Sequence, residues 1–254
     1  MTGVLLEGKN AVVTGAGSGV GRATALRFAE EGAHVVCADV QLDWAKETVR
    51  LIEAAGGAAS AQHCDVTRED DVAAVIESAG RLDIMHNNVG VATPRPGARL
   101  EDHTVEDFDR LAAINLRGVF LGCKHAVIRF KEQGGGGVIL NTGSVAGMVG
   151  WGGTVYGATK AGVNQITRGI AVECAPFGIR VNAICPAGMP FTNFMAATGI
   201  EATDQIVDNV ASMHPLGRPI TAEDCAEAAV FLVSDRAANI TGVLLPVDGG
   251  YVAK

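Results

Sequence analysis

Short apolar runs alternate with longer stretches of helical periodicity along the chain. Asn10–Thr14, His34–Asp39, Ala58–Cys64, Leu82–His86, Val138–Leu140, Ile179–Cys185 and Gly242–Val247 are short, and Gly, Pro or small polar residues bound most of them. They read as buried strands. Between them, Arg22–Glu31, Asp43–Ala54, Thr67–Ala79, Thr104–Leu116, Gly118–Lys131, Tyr156–Glu173 and Ala222–Val233 read as helices. Thr67, with Asp70 three residues on, is placed as a helix N-cap. Asn115 has poor propensity for a helix interior, so a break is expected near Asn115–Gly118. The alternation predicts one domain over residues 1–254. Its class is α/β, a Rossmann-like doubly wound parallel sheet of about seven strands with helices on both faces. Residues 187–218 show no clear pattern between a strand end and a helix, which predicts a substrate lid.

Two junctions carry candidate chemistry. Strand Asn10–Thr14 runs into Gly15-Ala-Gly-Ser-Gly-Val-Gly21 and then a helix. Strand, glycine turn and helix place bare backbone N–H groups and a positive helix end against a phosphate. The spacing differs from the usual G-x-G-x-x-G fingerprint. Asp39 ends the next strand, where an acidic residue binds ribose hydroxyls and repels a 2′-phosphate. The alternative is that it only opens the turn into the next helix, and the glycine turn before it favours the ribose role.

The second junction is Val138-Ile-Leu-Asn-Thr-Gly-Ser144 followed by Tyr156-Gly-Ala-Thr-Lys160. Residues four apart on a helix share a face, so a phenol and an ammonium are expected side by side, with the Ser144 hydroxyl brought up by the strand. A nearby cation lowers a phenol's pKa, and a tuned Tyr can exchange a proton with an alcohol or carbonyl oxygen. Taken alone, Tyr-x-x-x-Lys also fits an ordinary surface helix.

Composition narrows the classes. Net charge is -8, and no Lys/Arg cluster marks a nucleic-acid or anionic-membrane partner. No apolar run approaches a membrane span, and no signal-peptide pattern opens the chain. The six cysteines are scattered without a C-x-x-C pair, which points to no metal and no disulfide framework and makes a reducing cytoplasm the default location.

In order and spacing, Thr14-Gly-Ala-Gly-Ser-Gly-Val-Gly21, Asp65-Val66, Asn87-Asn88-Val89-Gly90, Asn115, Ser144, Tyr156-x-x-x-Lys160, Pro186 and Val247-Asp-Gly-Gly250 resemble the short-chain dehydrogenase/reductase family over essentially the whole chain. The resemblance implies Tyr156 as general acid/base, with Lys160 lowering its pKa and holding the nicotinamide ribose. It implies Ser144 on the substrate oxygen and Asn115 in a water-linked proton relay. For the cofactor it implies Gly15, Ser18, Gly19, Val20 and Gly21 at the pyrophosphate, Asp39 at the adenosine ribose, and Asp65 and Val66 at the adenine. Asn88 and Gly90 would line the second ribose, and Pro186, Met189 and Thr192 the nicotinamide. A homo-oligomer follows, a tetramer before a dimer. Val89 stands where the family has Ala, the Ser144–Tyr156 interval is one residue short, Ala187 replaces Gly, and Thr192 falls one residue late.

The activity so implied is hydride transfer between NAD(H) and a secondary alcohol or ketone. Trp151, Met148, Phe191, Phe194 and Met195 favour an apolar or cyclic substrate. An alternative is an NADPH-dependent 3-oxoacyl-carrier-protein reductase. Asp39, the absence of a basic residue at Ser18 and the absence of Thr-Arg-Asp after Gly90 speak against it. A catalytically silent NAD-binding regulatory protein is a further alternative, opposed by retention of Asn115, Ser144, Tyr156 and Lys160.

Overall fold

The structure, a computed structural model, describes residues 4–190, 192, 194 and 202–254. The elements run β1 (Asn10–Thr14), α1 (Gly19–Glu30), β2 (His34–Asp39), α2 (Leu42–Ala54), β3 (Ala58–His63), α3 (Glu69–Ser78), β4 (Ile84–Asn87) and α4 (Val105–Leu111). They continue with α5 (Gly118–Gln133), β5 (Gly137–Thr142), α6 (Thr154–Cys174), β6 (Ile179–Pro186), α7 (Asp204–Met213), α8 (Ala222–Val233) and β7 (Leu244–Val247). The strands form one parallel sheet in the order β3-β2-β1-β4-β5-β6-β7. Strand order reverses between β1 and β4, and in such sheets ligands bind beyond the strand C-termini at that switch.

The central strands are apolar on both faces because helices cover both. Phe28 of α1 and Cys225, Ala229 and Val230 of α8 pack on one face with Val13, Val35 and Leu140. Val119, Cys123 and Phe130 of α5 and Val163 and Ala171 of α6 pack on the other with Val12, Met85, Ile139 and Val181. Arg180 of β6 donates to the carbonyls of Leu232, Val233 and Ser234. A cation there closes the C-terminal end of α8, where the helix dipole is negative.

Three boundaries differ from the sequence reading. The Thr67 N–H and hydroxyl both donate to Asp65 Oδ1, at 2.9 and 2.7 Å. Thr67 is thereby held in an Asx-type turn, and α3 starts behind Arg68 instead. The expected break near Asn115 is a π-helical stretch, Ala112–Arg117, that joins α4 to α5 without a loop. The resulting helical run Val105–Gln133 is long and apolar enough to cross a membrane by composition. Leu111, Val119, Leu121 and Phe130 of this run are buried in the domain, while Val105, Phe108, Phe120 and Ile128 stay exposed. Finally, 187–218 contains α7, whose Ile206, Val207, Val210 and Met213 recur at helical spacing; residues 191, 193 and 195–201 lie outside the described residues.

Candidate active site

The glycine turn between β1 and α1 is shaped by contacts that no side chain could share. A Cβ at Gly21 would overlap the Gly15 carbonyl oxygen and Asn88 Nδ2, and one at Gly17 would lie 2.7 Å from Asp39 Oδ2. Gly15 and Gly19 have positive φ, 66° and 50°, a region that favours glycine. Ser18 precedes α1 without capping it through its side chain, and the first turn has no acidic residue. The N–H groups at the start of α1, where Val20 is buried, therefore face no competing carboxylate in that turn. Bare backbone, unopposed donors and a positive helix end fit the pyrophosphate of a dinucleotide.

Asp39 lies at the same strand ends and is buried. Its Oδ2 accepts the Gly17 N–H at 2.9 Å and its Oδ1 the Gln41 N–H at 2.9 Å, so one carboxylate ties the turn to the end of β2. Asp65 follows β3, and its two bonds from Thr67 hold its carboxyl below the usual range. Val66 packs beneath it, where a Cβ at Gly118 would lie 2.9 Å from Val66 Cγ2. Val89 packs against the turn itself, with Cγ2 3.1 Å from where a Gly15 Cβ would stand.

The catalytic candidates meet across the ends of β4, β5 and α6. Ser144 follows β5, and its hydroxyl accepts the Ala146 N–H at 3.1 Å and donates to the Pro186 carbonyl at 3.3 Å. The turn Val145–Gly147 then lies directly on α6: a Cβ at Gly147 would stand 2.6 Å from Ala161 N. Lys160 is 2 % exposed, and its ammonium donates to the Thr142 carbonyl at 2.8 Å. Gly90 leaves room for it, since a Cβ there would stand 3.2 Å from Lys160 Nζ and 3.7 Å from Asn115 Oδ1. Asn115 clasps the loop after Gly90: Oδ1 accepts the Val91 N–H at 2.8 Å and Nδ2 donates to the Val91 carbonyl at 2.9 Å. The Thr159 hydroxyl, 3.5 Å from Asn115 Nδ2, donates to the Tyr156 carbonyl at 2.8 Å.

The electrostatics differ from the sequence expectation. Desolvation raises the Tyr156 phenol above its ordinary pKa, with a hydrogen bond to Ser144 opposing it. Lys160 does not reverse this. Its Nζ is 5.9 Å from the Tyr156 ring centroid and is turned to the Thr142 carbonyl. Burial in turn lowers Lys160 to about 8. Cys185 sits behind this group as a thiol that burial pushes up to about 11, with Sγ 3.6 Å from Asn164 Oδ1.

Beyond Pro186 the chain passes over the site. The Thr192 hydroxyl donates to the Met189 carbonyl at 3.3 Å, and Thr192 Cβ lies 3.8 Å from where a Cβ on Gly19 would stand. The Phe194 ring stands 5.6 Å from that of Tyr156. Tyr251 packs against Trp151 at 5.6 Å and His214 at 6.1 Å between ring centroids. His214 is buried, with Nδ1 2.8 Å from the Val210 carbonyl. Met148 is exposed; Phe191 and Met195 lie outside the described residues. Among the described residues no His, Cys, Asp and Glu cluster could hold a metal ion.

The structure thus gathers Asn88, Gly90, Asn115, Ser144, Tyr156, Lys160 and Pro186 at one end of the sheet, with the glycine turn and Asp39 across the switch point. Sequence reasoning missed Thr14, His86, Thr142, Thr159 and Gly147, which hold these groups. Polar residues in otherwise apolar strands were the available signal for the first three.

Known proteins share this fold. A family model described as enoyl-(acyl carrier protein) reductase matches residues 15–252. The crystal structure of a short-chain type dehydrogenase/reductase from Mycobacterium marinum superposes with a TM-score of 0.91 at 31% identity, covering 99% of this chain and 98% of that one. The chain belongs to the short-chain dehydrogenase/reductase family. Members of this short-chain family use nicotinamide cofactors. A 3beta-hydroxysteroid dehydrogenase 1 of Eggerthella lenta is 41% identical, covering 96% of this chain and 94% of that protein. A cis-4-hydroxycyclohexanecarboxylate dehydrogenase of Sinomonas cyclohexanicum is 42% identical, covering 96% of each.

Proposed function

We propose that this short-chain dehydrogenase/reductase is an NAD-dependent enzyme acting on an apolar, cyclic secondary alcohol or the corresponding ketone. The observation that carries the reading is the convergence of a buried Lys160, the Tyr156 phenol and the Ser144 hydroxyl at one strand end. Tyr156 and Ser144 hold the substrate oxygen between two hydroxyls. In reduction the Tyr156 phenol gives its Oη proton to the new alkoxide, and in oxidation it acts as the phenolate, its own proton having passed to solvent, and takes the hydroxyl proton. When bound, a nicotinamide ring takes or supplies the hydride at the carbinol carbon. Lys160 keeps a positive charge beneath this position, and Asn115 holds the Val91 segment beside it.

NAD is favoured over NADP by the Asp39 carboxylate at the end of β2. No basic side chain at Ser18 answers a 2′-phosphate, which weighs against the acyl-carrier-protein reductase reading. The substrate class draws on Phe194 against Tyr156, on Trp151 and Met189, and on relatives whose names specify a steroid and a cyclohexane alcohol. Assembly as a homo-oligomer, tetramer before dimer, accords with Val105, Phe108, Phe120 and Val172 remaining exposed; light scattering after gel filtration measures it.

The test is turnover of a panel of cyclohexanols and 3β-hydroxysteroids with NAD and with NADP, read by nicotinamide absorbance. NAD-linked oxidation that Tyr156→Phe abolishes, with NAD binding retained, is the expected result. Preserved turnover in that variant, or a clear preference for NADP, overturns the corresponding part of the reading.

A further inference from the structure

His86 lies in β4 with no exposed surface, in register with Val13 of β1 and Leu140 of β5. A buried imidazole in such a place is costly unless its nitrogens find partners. Nε2 lies 3.0 Å from Thr142 Oγ1. The direction of that bond follows from its neighbours. Asn88 Nδ2 faces two carbonyls, Thr14 O at 3.0 Å and Gly15 O at 3.4 Å, so the other amide atom, 3.2 Å from Thr142 Oγ1, is the oxygen. An amide oxygen only accepts. The Thr142 hydroxyl proton therefore points at Asn88, and Thr142 must accept from His86.

This fixes the tautomer: Nε2 carries the proton and Nδ1 carries a lone pair. Nδ1 has no partner among the described residues, and the Phe28 ring stands 6.3 Å away between centroids. Burial lowers the ring's pKa to about 3, consistent with a neutral imidazole. A second arm closes the circuit. The Asn88 N–H donates to Thr14 Oγ1 at 3.1 Å, and that hydroxyl donates to the His86 carbonyl at 3.3 Å.

The circuit ends on the glycine turn. Asn88 Nδ2 is the group that contacts the Gly15 carbonyl and that a Cβ at Gly21 would strike. We propose that His86 is a positioning residue for the dinucleotide site: as a fixed Nε2–H donor it orients the Thr142 hydroxyl and, through it, the Asn88 amide that seats the Gly15 turn. The inference rests on the reading of that turn as a nicotinamide-dinucleotide site.

The experiment is calorimetric titration of the full chain with NAD, alongside thermal melts. His86→Leu removes the donor and is expected to raise the Kd for NAD by about tenfold, the equivalent of one hydrogen bond of about 1.4 kcal/mol. His86→Gln, whose side-chain amide can donate in its place, is expected to return Kd to within about twofold of wild type. Thr142→Val breaks the same circuit, so adding His86→Leu to it is expected to cost nothing further. Nitrogen NMR of His86 in the wild-type protein provides a readout independent of whether variants fold. Its expected result is a protonated Nε2 and an unprotonated Nδ1, unchanged from about pH 5 to about pH 9, a range that spans the ordinary imidazole pKa. A protonated Nδ1, or a folded His86→Leu with wild-type Kd, overturns the relay and leaves the cofactor reading standing. Wild-type protein that binds neither NAD nor NADP overturns both.

Discussion

Replacing Asp39 with Ala separates two roles that one carboxylate holds. Its oxygens accept from Gly17 N–H and Gln41 N–H, each at 2.9 Å. Gly17 is buried and Gln41 exposed, so the two losses are unequal. The Gln41 N–H turns to water at little cost. The Gly17 N–H loses its only acceptor among the described residues, in a buried turn, which costs about 2 kcal/mol. For a chain of this size that lowers Tm by about 4–8 °C. Asp39→Asn keeps one oxygen for Gly17 and should recover most of the loss. The ribose role is read separately. A unit charge about 5 Å from a 2′-phosphate at an effective dielectric of about 20 opposes it by about 3 kcal/mol before salt screening. Both variants should therefore raise the ratio of kcat/KM for NADP to that for NAD by about tenfold or more. Thermal melts without nucleotide and initial rates with each nucleotide are the assays. A Tm within about 1 °C of wild type for Asp39→Ala would refute the structural role, since it is smaller than one lost buried bond should give. An unchanged nucleotide ratio would refute the ribose role.

Other perturbations test neighbouring parts. Gly21→Ala drives a methyl into the Gly15 carbonyl and Asn88, so stability should fall by about 1–3 kcal/mol, with NAD binding lost in calorimetry; a variant binding NAD normally would contradict the cradle. Lys160 falls to about 8 in the folded chain from 10.5. Between those pH values the unfolded chain holds a proton that the folded chain has released, so this residue makes stability rise with pH and the contribution is lost as pH falls through 8. Denaturant melts of wild type, relative to Lys160→Met, should show that rise between pH 8 and 10; a fall would reverse the assigned sign. All six cysteines are buried, and burial pushes Cys37, Cys64, Cys123 and Cys225 up to about 12. A chromogenic disulfide reagent at pH 8 should find no reactive thiol until denaturant is added; rapid labelling of native protein would argue against this packing.

The sheet was readable in the sequence because burial on both faces leaves continuous apolar runs, and the glycines of the first turn because each either stands where a Cβ would crowd its neighbours or holds a positive φ. Helix boundaries were less readable where side chains compete with the backbone. Thr67 looks like a cap, yet its hydroxyl is taken by Asp65 two residues earlier, a preference that local spacing does not reveal. Asn115 looked like a helix breaker, yet a π turn accommodates it because its amide is satisfied by Val91, distant in sequence. Spacing placed Tyr156 and Lys160 on one helix but could not show where the ammonium points. That direction is set by Thr142, on a different element.

Thr142 connects the two halves of the site. Its carbonyl holds the Lys160 ammonium, and its hydroxyl holds Asn88 and meets His86. The proposed catalytic cation and the candidate dinucleotide turn are therefore registered to the same residue at the end of one central strand. Thr142 pairs with Ile184 of β6 and the preceding Asn141 with Asn87 of β4, so β5 cannot shift by a fraction of a register without breaking ladder bonds, and both halves inherit the rigidity of the sheet. Loops can then vary around the site: the shortened Ser144–Tyr156 interval and the displaced Thr192 alter the walls while leaving the Lys160 and Asn88 anchors in place. On the proposed reading, the substrate's shape is left to elements outside the sheet, and the position of the proton and hydride chemistry is set within it.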